Sequence, residues 1–247
     1  SPNFKRICDL VNTLASNVEK SEETSSTFIS NVSHELRTPL TAIKGWGEML
    51  KELDGEDREI SRRGTEVIIN ESERLSHLVE ELLDFSRMSS GRMKLNFEKI
   101  DILAELDEIV FELRERIVKE GLEMIYNVPH LPAPARADAS RMRQVFINVL
   151  DNAVKYSKHG GKIIVFAEMP NPATLIVTVS DTGIGIPKDH LDRVFERFYR
   201  VDKSHSKEIG GTGLGLSIVK HGAAVHNARV KLNSTVGEGT SVTVIFE

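Results

Sequence analysis

Cysteine is almost absent from this chain of 247 residues, in which Cys8 is the only one. A single cysteine excludes an intramolecular disulfide and a cysteine metal cluster, which is consistent with a reducing compartment. Long apolar runs are missing as well, because no stretch approaches the roughly 18 residues that a membrane-spanning helix needs. The first residues also lack the basic and then apolar pattern of a signal peptide. We therefore expect a cytoplasmic polypeptide.

Neither sign of charge dominates the sequence. There are 32 basic and 37 acidic residues, which gives a net charge of -5, and the basic residues are scattered among acidic ones. This pattern disfavours nucleic acid as a partner. With 40% hydrophobic residues, the chain is long enough for two domains that each have a core.

The first part of the chain has the spacing of long helices. Apolar residues repeat every three or four positions at Ile7, Val11, Leu14 and Val18. This repeat predicts a coiled-coil helix near the N-terminus. A second helix is predicted, with apolar positions from Ile60 to Phe85 and an end at Ser89-Ser90-Gly91. Because a hairpin of two amphipathic helices cannot bury both apolar stripes, we predict that two chains form a four-helix bundle.

After Met93 the pattern changes to short strands and amphipathic helices. Helices are predicted over 102–120 and 140–156, and strands over 123–128, 161–168, 175–180, 229–233 and 241–246. The segment Pro170-Asn171-Pro172 is predicted to form a turn. We predict an α/β sandwich in which one mixed sheet lies under helices.

His34 and Glu35 are adjacent on a stretch with helical spacing, and Thr38 lies one turn after His34. A neutral imidazole is a competent nucleophile, and a carboxylate bonded to one ring nitrogen fixes its tautomer. The segment therefore combines a nucleophile, a carboxylate and a hydroxyl. Taken alone, such a pair is more often an ordinary feature of a helix surface.

Polar residues also form a stripe on the helix predicted over 140–156. Asn148 and Asn152 are four residues apart, and Lys155 and Tyr156 follow them. Residues with this spacing share one helix face, which could contact phosphate. A solvated face would have the same pattern.

Two glycine loops follow the stripe. Asp181 ends a predicted strand and precedes Gly183 and Gly185, which is typical of a ligand site but also of an ordinary turn. The second loop, 211–216, precedes a predicted helix and can present backbone amides to an anion. It is not a dinucleotide fingerprint, because Ile218 stands where a third glycine belongs, and it lacks the lysine of a P-loop.

In this order, from about Thr27 to the C-terminus, the segments resemble the sensor histidine kinases of two-component signalling. The resemblance implies a helical hairpin that forms a dimeric four-helix bundle, followed by an α/β ATP-binding domain of the GHKL type. The expected domains are a signalling helix over 1–26, a dimerisation and histidine phosphotransfer domain over 27–91, and a catalytic ATP-binding domain over 92–247.

The resemblance also implies roles for individual residues. His34 would attack the γ-phosphorus of ATP with help from Glu35, and Thr38 would orient water in a phosphatase reaction. Asn148 would hold Mg²⁺, and Asp181 would accept a hydrogen bond from the adenine amine. The other expected nucleotide contacts are Asn152, Lys155, Tyr156, Gly183, Gly185, Ile186, Arg200, Gly211, Thr212, Gly213, Leu214, Gly215, Leu216 and Thr240.

The resemblance further implies a homodimer that passes its phosphoryl group to an aspartate of a response regulator. It also implies that the chain is the cytoplasmic part of a longer, membrane-anchored bacterial sensor. Two other functions fit parts of the sequence: a plain ATPase of the same nucleotide-binding fold, and a scaffold that binds nucleotide without transferring phosphate. The segment 220–228 departs from the family pattern, and there we expect Gly222 to weaken a helix and Asn227 to adopt a left-handed backbone.

Overall fold

The computed structural model describes residues 29–30, 32–53, 57–89, 94–201 and 212–247. These residues belong to two compact units, which divide between Ser86 and Arg87. The predicted coiled-coil helix over 1–26 lies outside the described residues. Within the described part of the chain, no helix has both the length and the apolar character needed to cross a bilayer.

The first unit is a pair of helices. Residues 32–52 form α1, and Arg58–Ser89 form α2, as the apolar spacing predicts. The start of α2 is capped by Asp57, whose Oδ1 accepts hydrogen bonds from the backbone N–H groups of Glu59 and Ile60 at 3.0 and 3.1 Å. The two helices pack closely at Gly64, where an added Cβ would lie 2.8 Å from Cε3 of Trp46.

A second face of α2 is apolar and exposed. Ile69, Val79 and Leu83 are 50%, 43% and 50% exposed. Ser72 and Ser76 lie on the same stripe, and each donates its hydroxyl to a carbonyl four residues earlier. Positions spaced three and four apart share one helix face. The hairpin therefore carries an uncovered stripe of apolar and small side chains.

The second unit contains a five-stranded mixed sheet in the order β2-β4-β5-β7-β6. Its strands are β2 (Glu123–Asn127), β4 (Lys162–Asn171), β5 (Thr174–Asp181), β6 (Arg229–Thr235) and β7 (Gly239–Phe246). β2 pairs with β4 in parallel, and the other neighbours are antiparallel. Burial alternates along β4 and β5, so one face of the sheet is covered.

Three helices cover that face and share one core with it: α3 (Ile102–Lys119), α4 (Ala139–Tyr156) and α5 (Gly215–Val225). The carboxylates of Asp101 and Asp138 accept backbone hydrogen bonds at the starts of α3 and α4. The mixed sheet under helices confirms the predicted fold class of this part of the chain.

Two details of the strands differ from the prediction. The strand β3 (Pro134–Ala137) was not expected, and it pairs with β1 (Glu98–Asp101) in a separate antiparallel sheet of two strands. Its four residues contain no β-branched or aromatic side chain, so local propensity gave no signal. The predicted turn at 170–172 is also shifted, because β4 continues through Pro170, where a bulge in the pairing accommodates proline.

The segment 220–228 departs from the family pattern, and the contact of α5 with α4 accounts for its glycine. Gly222 is buried, and an added Cβ would lie 2.6 Å from Cγ2 of Val145, so glycine lets the two helices approach. Asn227 has φ 56°, which confirms the predicted left-handed backbone.

His226 joins the end of α5 to the start of α4. Its Nε2 accepts a hydrogen bond from the N–H of Asp138 at 2.9 Å, and its Nδ1 lies 2.7 Å from the carbonyl oxygen of Gly222. This bonding requires a neutral imidazole that donates from Nδ1.

Candidate phosphotransfer and nucleotide sites

His34 lies on the exposed surface of α1. It lines a shallow open groove together with Arg37, Thr38, Thr41 and Ala42. The hydroxyl of Thr38 donates to the carbonyl oxygen of His34 at 3.2 Å, as expected for residues one turn apart. The structure thus brings the predicted nucleophile and the predicted hydroxyl into one groove that is open to solvent.

The third predicted catalytic residue, Glu35, is turned toward the other helix of the hairpin. Its Oε2 accepts a hydrogen bond from Nη2 of Arg74 on α2 at 3.4 Å. The side chain of Glu35 is only 11% exposed, whereas His34 is exposed. Arg74 was not singled out in the sequence, because its relation to Glu35 depends on how the two helices pack.

Asp181 ends β5, as predicted, and its carboxylate organises the turn that follows. Oδ1 accepts hydrogen bonds from the backbone N–H groups of Gly183 at 2.8 Å and Thr240 at 3.2 Å. Both of these bonds end on Oδ1, and no hydrogen bond to Oδ2 is formed among the described residues. Burial raises the pKa of the Asp181 carboxyl, although the two N–H donors act in the opposite direction. The geometry leaves one carboxylate oxygen available to accept a hydrogen bond from a ligand.

The turn after Asp181 packs tightly against the β6–β7 hairpin. An added Cβ on Gly185, which has φ 69°, would lie 2.0 Å from the carbonyl oxygen of Thr235. An added Cβ on Gly239, with φ 126°, would lie 1.9 Å from the carbonyl oxygen of Asp181. Only glycine fits at either position. The predicted residues of the first loop and Thr240 therefore belong to one cluster.

Ser234 connects the same two segments, although the sequence did not draw attention to it. Its hydroxyl oxygen accepts a hydrogen bond from the N–H of Ile186 at 2.8 Å, and it lies 2.9 Å from Oγ1 of Thr240. A serine near the end of a strand carries no local signal of such a role. Ile186 and Thr240, both predicted site residues, are thus held by one side chain.

The asparagine stripe meets the start of α5. The side chain of Asn148 donates from Nδ2 to the carbonyl oxygen of Gln144 at 2.8 Å. An added Cβ on Gly215 would lie 2.8 Å from Oδ1 of Asn148 and 3.7 Å from Nδ2 of Asn152. The amide oxygen of Asn148 and the first N–H groups of α5 therefore line the same space. An amide oxygen is a suitable ligand for a metal ion, and N–H groups at the start of a helix are suitable donors for an anion.

The end of α4 contacts the loop after Asp181. The carbonyl oxygen of Tyr156 accepts from the N–H of Ile184 at 3.2 Å, and an added Cβ on Gly183 would lie 2.3 Å from that oxygen. The Nζ of Lys155 lies 5.8 Å from the centre of the Tyr156 ring. The four predicted residues of α4, from Asn148 to Tyr156, thus run from the start of α5 to the Asp181 turn.

The second glycine loop is described from Thr212 onward, and Gly211 lies outside the described residues. Thr212 is buried and accepts a hydrogen bond from the N–H of Leu214 at 3.2 Å. Gly213 has φ 72°, and its carbonyl oxygen accepts from the N–H of Phe198 at 2.9 Å. Leu216 lies half-buried in the first turn of α5. The loop is fixed by buried hydrogen bonds at the start of this helix.

Phe198 anchors the described segment that ends at Val201. It is 7% exposed and has φ 64°, an uncommon backbone for a residue with a large side chain. The Phe198 side chain is therefore packed in the interior of the second unit. Arg200, a predicted phosphate contact, is half-buried two residues later.

Family models match both units of the chain. Residues 24–91 match the His Kinase A (phospho-acceptor) domain, and residues 137–247 match the histidine kinase-, DNA gyrase B-, and HSP90-like ATPase. The chain belongs to the sensor histidine kinases. The first match contains His34, and the second contains every predicted nucleotide contact. The ATPase domain implies that this histidine kinase chain binds ATP.

Relatives cover nearly the whole histidine kinase chain. It is 37% identical over 226 residues to the sensor histidine kinase WalK of Bacillus subtilis, covering 91% of this chain and 37% of that protein. It is 39% identical over 219 residues to a sensor protein kinase WalK of Staphylococcus aureus, covering 88% of this chain and 52% of that protein. The chain therefore spans about half or less of the length of these relatives.

Solved structures show the same arrangement of elements. The Acinetobacter baumannii histidine kinase AdeS has a TM-score of 0.64 at 27% identity, covering 87% of this chain and 97% of that one. Full-length ShkA in complex with AMPPNP has a TM-score of 0.61 at 27% identity, covering 88% of this chain and 44% of that one. ThkA, solved with the response regulator protein TrrA, has a TM-score of 0.60 at 22% identity over 88% of this chain and 60% of that one, which supports the fold alone.

Proposed function

We propose that the chain autophosphorylates His34 with ATP and passes the phosphoryl group to an aspartate of a response regulator. The observation that carries the nucleotide half of this proposal is the convergence of the Asn148 amide oxygen with the start of α5. The exposed position of His34 in its groove supports the other half. The proposal uses the domain bounds 27–91 for phosphotransfer and 92–247 for catalysis.

Nucleotide binding follows from the chemistry of the three clustered segments. The open oxygen of Asp181 accepts a hydrogen bond from the exocyclic amine of adenine, and a guanine oxo group at that position would be repelled. The first N–H groups of α5 bind the phosphates, since a helix N-terminus favours negative charge. Lys155, Tyr156 and Arg200 add further polar contacts to phosphate or ribose.

The residues present also fit a magnesium ion. Among the described residues there is no group of three or more histidine, cysteine or acidic side chains that could hold a metal. Asn148 would supply one amide oxygen, and phosphate oxygens and water would complete the ligand set that Mg²⁺ prefers. When bound, the ion neutralises charge on the phosphate oxygens.

In the transfer step, a ring nitrogen of neutral His34 forms a bond to the γ-phosphorus. The bond from the γ-phosphorus to the bridging oxygen breaks, and ADP leaves with that electron pair. The remaining ring proton passes to the carboxylate of Glu35, which also fixes the tautomer of the imidazole. The phosphoryl group then passes from the phosphohistidine to an aspartate oxygen of the regulator.

We also propose that Thr38 serves a phosphatase reaction on the phosphorylated regulator. Its hydroxyl lies in the same groove as His34 and can orient a water molecule toward a phosphoaspartate docked there. Thr41 lies in the groove as well and donates to the carbonyl oxygen of Arg37 at 2.8 Å, so it provides a matched comparison.

Incubation with γ-labelled ATP and Mg²⁺ tests the kinase proposal. We expect the wild type to acquire label that is labile in acid and stable in base, His34→Gln to acquire none, and the exposed His130→Gln to label normally. ATP hydrolysis without protein label would favour the plain ATPase. Absence of both would favour the scaffold.

The labelled chain also provides the phosphatase test, once a receiver domain has accepted the label. Thr38→Ala is expected to label normally but to leave the receiver phosphorylated, whereas Thr41→Ala dephosphorylates it as the wild type does. Equal dephosphorylation by Thr38→Ala and the wild type would argue against the assigned role.

A further inference from the structure

Arg74 lies between two carboxylates on the hairpin. Its Nη2 is 3.4 Å from Oε2 of Glu35 on α1, and its Nη1 is 3.6 Å from Oε2 of Glu71 on its own helix. The guanidinium of Arg74 therefore contacts both Glu35, a predicted catalytic residue, and Glu71, which has no role in the proposed reaction.

The direction of Glu35 matters for the reaction. Adjacent residues on a helix are about 100° apart around its axis, so neighbouring side chains do not face each other. His34 is exposed to solvent, whereas the ion pair with Arg74 holds the carboxylate of Glu35 toward α2. For Glu35 to take a proton from the imidazole, its carboxylate has to rotate away from Arg74.

Glu71 offers the guanidinium another position. Its Oε2 is buried and has no hydrogen-bond partner among the described residues, because 3.6 Å is too long for a hydrogen bond. A buried carboxylate oxygen that accepts no hydrogen bond is unfavourable. A small movement of Arg74 toward Glu71 would satisfy that oxygen and would weaken the contact between Arg74 and Glu35.

We propose that Arg74 is a positioning residue that favours the orientation of Glu35 away from His34, and that it weakens this restraint by moving its guanidinium toward Glu71. The inference rests on the proposed autophosphorylation, in which Glu35 takes the imidazole proton. No bond forms or breaks in the exchange, and all three groups keep their charge. The restraint is weak, since partly exposed ion pairs change an equilibrium by roughly two- to fivefold, so binding events elsewhere in the protein can overcome it.

Two substitutions should change the rate in opposite directions. Arg74→Met removes the restraint and keeps the length of the side chain, so the maximal rate of autophosphorylation should rise by roughly two- to fivefold. Glu71→Gln removes the competing charge and leaves Arg74 on Glu35, so the rate should fall by a similar factor. The double variant should behave like Arg74→Met, and Arg74→Lys should stay close to the wild type.

The experiment measures initial rates of His34 labelling over a range of ATP concentrations with the full chain. Because Arg74 does not act on nucleotide, the KM for ATP should stay constant while the maximal rate changes. Arg62→Met is the control, since Arg62 forms an exposed ion pair with Glu66 on the same helix at 2.7 Å. Thermal unfolding of each variant reports any change in stability.

The possible results separate the two proposals. A wild type that acquires no label contradicts autophosphorylation itself. If the wild type labels, then an unchanged or reduced maximal rate in folded Arg74→Met overturns the inference, as does a change in KM alone. If Arg74→Met does not fold, the labelling rate of Glu71→Gln tests the inference instead. An unchanged or increased maximal rate in Glu71→Gln also overturns the inference.

Discussion

Single residues do most to define the nucleotide site, and Asp181 is the clearest example. Both N–H donors bind Oδ1, so an amide replacing the carboxyl has to place its oxygen there. The NH₂ group of the amide then occupies the position of Oδ2 and meets the adenine amine as one donor facing another. We expect Asp181→Asn to weaken ATP binding by about ten- to a hundredfold.

The same substitution has a predictable effect on stability. Because burial raises the pKa of Asp181 in the folded chain, its ionised form costs stability above that pKa, and the cost disappears as the pH falls through it. Without nucleotide, Asp181→Asn should therefore unfold at a higher temperature than the wild type at neutral pH, and the difference should shrink in acid. Calorimetry and nucleotide titration check both effects, and the exposed Asp189→Asn should change neither.

A local pattern in the sequence was enough to single out some of the residues that the structure brings together. The asparagine spacing on one helix and the aspartate at a strand end are local signals, and the structure places both in one cluster. Ser234 and Arg74 were missed because their partners are distant in sequence. Ser234 contacts Ile186, and Arg74 contacts Glu35, only after the elements have packed.

At the scale of elements, the contact between α4 and α5 sets the geometry of the site. Gly222→Ala should gain about 1 kcal/mol in helix propensity. The added methyl group would lie 2.6 Å from Cγ2 of Val145, and overpacking of this kind costs about 1–3 kcal/mol. We expect a net loss of stability, seen as a lower midpoint of thermal unfolding.

A double substitution distinguishes overpacking from other causes. Val145→Ala removes the group that Gly222→Ala would strike, so the two losses should be less than additive. Gly45→Ala, on α1, is the matched control. Nothing lies within 4 Å of the added Cβ at that position, so only the gain in helix propensity remains. Strict additivity of the two substitutions would contradict the contact.

The elements themselves were predictable where their pattern was long and periodic. Helices α2, α3 and α4 and the five strands of the main sheet were all expected within a few residues. The exception is β3, whose four residues have no strand propensity and become a strand by pairing with β1. The end of β4 differs from the prediction because proline is typical of turns, whereas a bulge accommodates Pro170 within this strand.

At the scale of the whole molecule, the two units differ in how completely they bury apolar surface. The second unit has a continuous core, whereas the stripe on α2 remains uncovered. A dimeric bundle is typical of the family, and it would cover such a stripe. We expect Val79→Glu, in the middle of the stripe, to place a charge in the interface and to give a monomer.

Light scattering coupled to size-exclusion chromatography measures this effect. Val118→Glu is the control, since Val118 lies on α3 in the other unit and is 69% exposed. It should leave the dimer intact. A dimer that survives Val79→Glu at low micromolar concentration would show that the stripe is not the contact surface.

The bonds of His226 have a consequence for the proposed nucleotide site. This imidazole joins the end of α5 to the beginning of α4, at the opposite end of α4 from Tyr156. The hydrogen bond to the N–H of Asp138 thus ties α5 to α4 at a point remote from Asn148 and from the first N–H groups of α5. The relative position of these two proposed binding groups is therefore a property of the fold and does not depend on the ligand.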